Sequence, residues 1–295
     1  MDEIIVSVVT PTYNRCTNLK DLYNSLAKQT DLRFEWIVID DGSTDQTESL
    51  IKAFQKEHIL NILYYKKSNH GKHTALNESH KFIRGCFVVV VDSDDTLTRD
   101  AIETIISTWD KYKTNTNIVG ITFQRKFKND RVSDSSIKGE YISTMEEEFH
   151  NGFVGDHCET FKAEIFKSKD FPVFDNERFM AEGTLWYLLS KDKEIVYSDK
   201  AIYVFEYLQD GLTKNIRKIM SKNPQGAYWN ALQIINSNFG FKMRLKNGIL
   251  AIYYGKLAKK KFNQIKKDIN NSGIFALSFF PYLLVSVLWK KYINS

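Results

Sequence analysis

Four short runs concentrate the residues able to do polar chemistry: Thr10-Pro11-Thr12-Tyr13-Asn14-Arg15, Asp40-Asp41-Gly42-Ser43-Thr44-Asp45, Asn69-His70-Gly71-Lys72 and Asp92-Ser93-Asp94-Asp95. If the acids of the second and fourth runs gather on one rim they repel, so a cation or an array of hydrogen-bond donors must accompany them. Singly, each acidic turn reads equally well as a turn-and-cap device, because Asp and Ser favour the positions before helices. Two such turns on one rim favour a binding role. In an extended segment Asp92 and Asp94 share a face while Ser93 points away. Two hard carboxylates on one side suit Mg2+ or Mn2+, which leave positions for phosphate oxygens. The chain contains neither GxxxxGK(S/T) nor GxGxxG, which speaks against a P-loop kinase or a nicotinamide-dependent dehydrogenase.

The elements that must hold these runs follow from hydrophobic spacing. Ile4–Thr10 is a β-rich run that stops at Pro11, and Leu19, Leu22 and Leu26 recur at helical spacing behind Thr17 as cap. Phe34–Ile39 reads as the second strand, with Ser43 and Gln46 as a capping box for a helix to about Glu57. Ile62–Tyr65 and Phe87–Val91 read as strands, His73–Phe82 and Thr98–Tyr112 as helices. This βαβαβαβα order predicts an α/β fold, a mostly parallel sheet with helices on both faces. Ligands in such sheets bind at the carboxyl ends of the strands, where the polar runs fall.

VVTPTYNR, VIDDGSTDQT, NHGKHTALN and VVVVDSDD, in this order and spacing, resemble the family 2 glycosyltransferases. The likeness covers residues 4–213. It implies a GT-A fold, a nucleotide-sugar donor (usually a UDP-sugar) and transfer with inversion at the anomeric carbon. By position, Thr10, Pro11, Tyr13 and Arg15 then border the nucleotide, Asp41 meets the base with Asp40 beside it, and Asp92 lies near the ribose with Ser93 following it. Asp94 holds Mn2+ or Mg2+, and Asn69, Gly71 and Lys72 form the loop that approaches the nucleotide, Lys72 on its diphosphate. The family often carries EDxxxW, its second acid being the catalytic base. Here the stretch reads Ala181-Glu182-Gly183-Thr184-Leu185-Trp186, so alignment on Trp186 makes Glu182 the base. An ordinary first-turn acid stabilised by the helix dipole is the alternative, and Asp175 and Glu177 are nearby competitors.

Other polar residues carry weaker signals. His150, Asp156, His157 and Cys158 match no zinc spacing; Asp156 and His157 are acceptor contacts or a plain turn. His73, beside Lys72, either serves the donor or simply opens a helix, and Cys86 before FVVVV reads as core.

The chain has 295 residues, 43% of them hydrophobic and 26% charged, which excludes a disordered or fibrous protein. Three cysteines and a first segment, MDEIIVSVV, without a basic stretch imply a reducing compartment and no secretory signal. The net charge of +5 divides unevenly: fifteen Lys and Arg stand against one acid from Lys214 onward, and the preceding part is acidic. This predicts a catalytic domain at 1–213 and a basic, mainly helical region at 214–295. Pro224 is placed to open a helix. Ile274–Trp289 runs uncharged into Lys290-Lys291. A helix of that length is about 24 Å long, against roughly 30 Å of hydrocarbon, and Pro281 interrupts it. A membrane-surface or re-entrant anchor on an anionic membrane fits better than a span, a packed soluble helix being the alternative. Nucleic-acid binding lacks a module. The resulting expectation is a metal-dependent transferase, cytoplasmic and peripheral on the inner face of the plasma membrane, that adds a sugar to a saccharide or lipid-linked acceptor in surface-polysaccharide synthesis. A sugar-nucleotide pyrophosphorylase and a non-catalytic donor-binding subunit are the alternatives. The first lacks its Gly-rich, basic loop after strand one; the second would release no UDP from a UDP-sugar.

Overall fold

The computed structural model describes residues 3–134, 136–150, 156–206 and 212–293; the side chains of 212–214 and 289–293 lie outside that description. The chain forms two compact units, Met1–Phe171 with Trp186–Tyr207, and Pro172–Leu185 with Leu208–Ser295. The basic region beginning at Lys214 therefore shares its unit with Pro172–Leu185.

In chain order the elements are β1 (Val6–Thr12), α1 (Leu19–Leu26), β2 (Phe34–Asp40), α2 (Thr47–Glu57), β3 (Ile62–Lys66), α3 (Lys72–Ser79), β4 (Phe87–Val90), β5 (Thr96–Leu97) and α4 (Ala101–Tyr112). They continue with β6 (Ile118–Phe127), β7 (Glu140–Ser143), α5 (Met145–His150), β8 (His157–Lys162), α6 (Ala163–Phe166), α7 (Gly183–Ser190) and β9 (Glu194–Phe205). Five helices follow: α8 (Leu212–Lys222), α9 (Pro224–Ile235), α10 (Phe241–Leu257), α11 (Phe262–Ile269) and α12 (Ser272–Ile293).

The sheet of the first unit has the order β3-β2-β1-β4-β8-β6-β9-β5, with β7 on β9. β3, β2, β1 and β4 run parallel. β8 enters antiparallel between β4 and β6, and β6 pairs parallel with β9. β1 and β2 are buried along their whole length, which is why they read as continuous Val- and Ile-rich runs rather than alternating ones. On α1 the Leu19, Leu22, Tyr23 and Leu26 stripe is buried against this sheet's core. Trp109 anchors α4: its ring stacks on Phe87 and its indole N–H donates to Thr160 Oγ1 at 3.0 Å.

Four local expectations are corrected. The N-cap of α1 is Asn18, not Thr17, and it makes no side-chain cap bond. The Ser43/Gln46 box does not form, because Ser43 Oγ accepts the Asn14 N–H instead; Asp45 Oδ1 takes the Thr47 N–H and hydroxyl at the start of α2. Cys86 is exposed rather than core, its carbonyl accepting the Ala163 N–H where β4 begins and β8 ends. Pro281 does not interrupt the last helix, which runs unbroken from Ser272 to Ile293; the ring merely leaves one carbonyl a turn earlier without its usual donor.

The second unit has its own core, in which Tyr228, Ala231, Ile252, Tyr254, Ile265 and Ile274 from α9, α10, α11 and α12 are buried. Pro224 occupies the first turn of α9. No helix among the described residues is long and apolar enough to cross a membrane.

Candidate active site

Parallel register brings the polar runs to one rim. Thr12 is level with Asp40, Asp40 with Lys66, and Val9 with Val90, so the segments leaving β1, β2, β3 and β4 emerge on the same side. Gly42 allows two of them to touch: its φ is +85°, and a Cβ there would lie 2.9 Å from the Asn69 backbone nitrogen.

The acids of the second run are satisfied by donors from the protein itself, of which, among the described residues, Lys67 alone is charged. Asp40 is fully buried, one oxygen taking the Ser43 N–H at 2.7 Å and the other the Tyr64 hydroxyl at 2.6 Å. Asp41 is buried too and holds the loop after β3. Lys67 Nζ at 2.5 Å and the His70 N–H at 3.0 Å share Oδ1, while the Gly71 N–H donates to Oδ2 at 2.7 Å. That loop carries half-buried Asn69 and delivers Lys72, at the start of α3, to an ion pair with Asp92. His73 is buried behind it with Nδ1 lacking a hydrogen-bond partner. Burial, opposed by Asp41 and reinforced by Lys67, lowers its pKa to about 4.

The fourth run is a turn, not the extended segment expected: the Asp95 N–H donates to the Asp92 carbonyl at 3.1 Å. Its side chains are therefore separated by turn geometry rather than by strand alternation. Ser93 is buried. The Tyr203 hydroxyl of β9 accepts the Asp92 N–H at 3.0 Å and donates to Asp95 at 2.8 Å. Arg125 of β6 lies over the Tyr203 ring, 4.2 Å from its centroid, and donates to the His157 carbonyl at 2.6 Å. Burial works to raise the Asp92 pKa, but Lys72, then Arg125 and Arg15, outweigh it and hold the carboxyl below its ordinary value. Burial, joined by the charge of Asp92, pushes Asp95 up to about 7. Asp94 is exposed, with the Arg15 guanidinium 3.9 Å from one oxygen. No group of three or more His, Cys, Asp or Glu side chains able to hold a metal gathers among the described residues. A part-exposed carboxylate held, among the described residues, only by a 3.9 Å ion pair leaves most positions to phosphate and water, the sparse oxygen set that Mg2+ or Mn2+ accepts.

From the first run, Thr10 is fully buried and its hydroxyl accepts the Trp36 indole N–H at 2.9 Å. Pro11 is buried, Tyr13 and Arg15 are exposed, and Asn14, at φ +52°, accepts the Thr44 N–H at 2.8 Å. Thr10 and Asp40 thus build the rim, whereas Tyr13, Arg15, Lys72 and Asp94 present groups at it. Tyr203, Arg125, Tyr64 and Lys67 were missed; they act from strands or positions that no motif marks, and only the fold shows where they lie.

His157 is not in a turn but opens β8. Its side chain is 1% exposed and its Nε2 lies 3.5 Å from buried Asp134. Glu182 belongs to the second unit, half-buried just before α7. In the same unit Glu177 is buried, its oxygens taken by the N–H groups of Gln225 and Gly226 at 2.7 and 2.8 Å, at the start of α9. Asp175 is exposed.

The sequence signature of Glycosyl transferase family 2 matches residues 7–170, more than half of the chain. The chain belongs to this family. Among curated relatives, this glycosyltransferase is 27% identical to the GalNAc(5)-diNAcBac-PP-undecaprenol beta-1,3-glucosyltransferase of Campylobacter jejuni, over 97% of this chain and 96% of that one. Its fold is that of S. aureus TarS 1-349 solved with UDP-GlcNAc, at TM-score 0.66 and 19% identity, covering 97% and 92% of the two chains. The mannosyltransferase PcManGT of Pyrobaculum calidifontis, solved with GDP-Man and Mn2+, gives 0.58 at 16% identity over 97% and 84%. The resemblance carried by the four runs, and the GT-A fold expected from it, are thereby borne out.

Proposed function

We propose that this glycosyltransferase moves a sugar from a UDP-sugar, with inversion, onto a saccharide or lipid-linked acceptor in cell-surface polysaccharide synthesis. The observation that carries the reading is the division of labour on the rim, where close internal donors satisfy Asp40, Asp41 and Asp92 while Asp94 has, among the described residues, only the longer, 3.9 Å approach of Arg15. The relative that matches nearly end to end acts on an undecaprenol-linked saccharide, and the solved TarS complex holds UDP-GlcNAc. Both support the choice of donor and acceptor classes. The basic region of fifteen Lys and Arg from Lys214 onward supports work at an anionic membrane surface, on its cytoplasmic side.

In this reading Tyr13, Arg15, Pro11, Asn69 and Gly71 border the nucleotide, and Thr10 and Asp40 shape the rim under it. Asp41 holds the loop that meets the base. Asp92, with Ser93 behind it, receives the ribose. Lys72 exchanges its pairing with Asp92 for the diphosphate. Asp94 holds Mn2+ or Mg2+, which when bound draws charge from the departing phosphate. Glu182 accepts the proton of the acceptor hydroxyl as that oxygen attacks the anomeric carbon, and the bond from that carbon to the diphosphate oxygen breaks, releasing UDP.

A donor screen on the purified protein with Mn2+ tests it, reading UDP and GDP release from their sugar conjugates. Release of UDP, slow without acceptor and faster with an undecaprenol-linked saccharide, is expected. GDP release alone would overturn the donor assignment, and release of neither the transferase reading.

A further inference from the structure

The last helix is apolar on the face it turns to solvent as well as on the face it packs. Leu277, Phe280, Leu283, Leu284, Val287 and Leu288 are each 44–74% exposed. Their spacing of three and four residues places them on one helical stripe, about 17 Å long at 1.5 Å per residue. The inward face of the helix is Ile274, which joins the core with Phe275 and Tyr282 packed beside it, and Ser278, 0% exposed, which packs on Gly248 of α10, where an added Cβ would meet its Oγ at 2.2 Å. The helix therefore docks through its first turns and Tyr282 and still presents six large apolar side chains to solvent. Exposed contiguous apolar stripes of this kind mark an interaction surface.

Charge decides the occupant. From Phe241 to the end the chain has eleven Lys and Arg and a single acid, Asp268, whose carboxylate accepts from the Tyr228 hydroxyl and the Gln264 amide. One of these cations borders the stripe through a run of rings: Lys256 Nζ lies 4.6 Å from the Phe262 centroid, and Phe262 meets Phe279 and Tyr282 of α12. A second copy would bring like charges together at its own basic surface, whereas a bilayer of anionic lipid offers hydrocarbon to the stripe and phosphate to the lysines. We infer that α12 lies in the plane of an anionic membrane, inserting Phe280, Leu284 and their neighbours to the level of the acyl chains while the lysines of α10 and α11 engage lipid headgroups. The inference deepens the proposed function, resting on its membrane-surface acceptor, and assigns attachment to one helix face lying flat rather than to a span.

Vesicle flotation tests it with the full-length protein. Vesicles of phosphatidylcholine with about 30% phosphatidylglycerol should carry the protein, and pure phosphatidylcholine should carry far less. Phe280→Ser with Leu284→Ser, at sites 74% and 71% exposed, should weaken binding at least about tenfold and leave the unfolding midpoint unchanged. Lys266→Gln with Lys267→Gln should weaken it less and flatten its salt dependence. Parental binding by the Phe280/Leu284 variant, or a parent that stays out of the phosphatidylglycerol fraction, overturns the inference. A lipid-free dimer abolished by the same two serines would reassign the stripe to a second copy and also overturn it. UDP release by the same preparations keeps the two readings apart: activity with no vesicle binding defeats only the membrane inference, and vesicle binding with no activity defeats only the transferase reading.

Discussion

Asp41→Asn should loosen the loop after β3 and with it the approach of Lys72 to the donor. The parent carboxylate is 4% exposed and receives three donors, the Lys67 ammonium and the His70 and Gly71 N–H groups. An amide of the same size keeps one acceptor oxygen and turns an NH2 toward either Gly71 or Lys67, donor against donor. One buried N–H left without a partner costs about 1–3 kcal/mol. The lost charge beside Lys67 adds to this, although Ser68 O and Thr74 Oγ1 still hold that ammonium. The sum is about 2–4 kcal/mol of stability. Urea unfolding measures the loss, and hydrogen exchange locates it. Peptides covering 67–75 should exchange faster while those of β1 and β2 do not, and UDP affinity should fall with them. A loss under about 0.5 kcal/mol, less than a single hydrogen bond is worth, with unchanged exchange at His70 and Gly71 would refute the idea that Asp41 holds the loop.

Three further outcomes follow from the same geometry. His73 binds its proton near pH 6.5 when unfolded but only near pH 4 when folded, so the stability it contributes is complete above pH 6.5 and drains as pH falls toward 4, by up to about 3 kcal/mol. Burial lowers His80 in the same direction, so His73→Gln should remove part of the acid slope in a pH series of unfolding midpoints, and an unchanged slope would contradict it. Glu177→Ala, by stripping two N–H groups at the start of α9 of their acceptor, should cost about 1–3 kcal/mol, and an unaltered urea midpoint would show that the bonds carry no stability. Glu182→Gln should keep donor affinity but lower kcat at least about 100-fold, as expected for loss of a general base; near-parental turnover together with a dead Asp175→Asn would move the base upstream.

The parallel half of the sheet was legible because β1 and β2, and nearly all of β4, are buried and so read as short apolar runs rich in Val, Ile and aromatic residues. Their register then put the polar runs on one rim without further information. The antiparallel insertion of β8 was not legible, since its His157–Lys162 sequence pairs with strands more than thirty residues away in the chain. The same distance hid Tyr203 and Arg125, whose partners in the Asp92–Asp95 turn become neighbours only when β6 and β9 close the sheet. Motif reading also overcounted chemistry: Thr10 and Asp40 are polar at the rim, yet Trp36, Ser43 and Tyr64 consume them within the fold. His157 shows the reverse limit, because nothing in the sequence around it signals that its ring is buried against Asp134. The outward stripe of α12 could be seen in sequence only as an uncharged run; which side faces solvent depends on Ser278 packing at Gly248.

The central claim is that the Asp92–Asp95 turn receives a nucleotide-sugar diphosphate through a divalent cation on Asp94. Calorimetric titration of UDP into the parent and into Asp94→Asn, each with and without Mn2+, tests it most directly. The account predicts that Mn2+ tightens binding to the parent at least about tenfold, as neutralising a diphosphate beside carboxylates requires, and that Asp94→Asn loses that gain while its unfolding midpoint is kept. UDP affinity within twofold of the parent in the variant, with the Mn2+ effect intact, would contradict it.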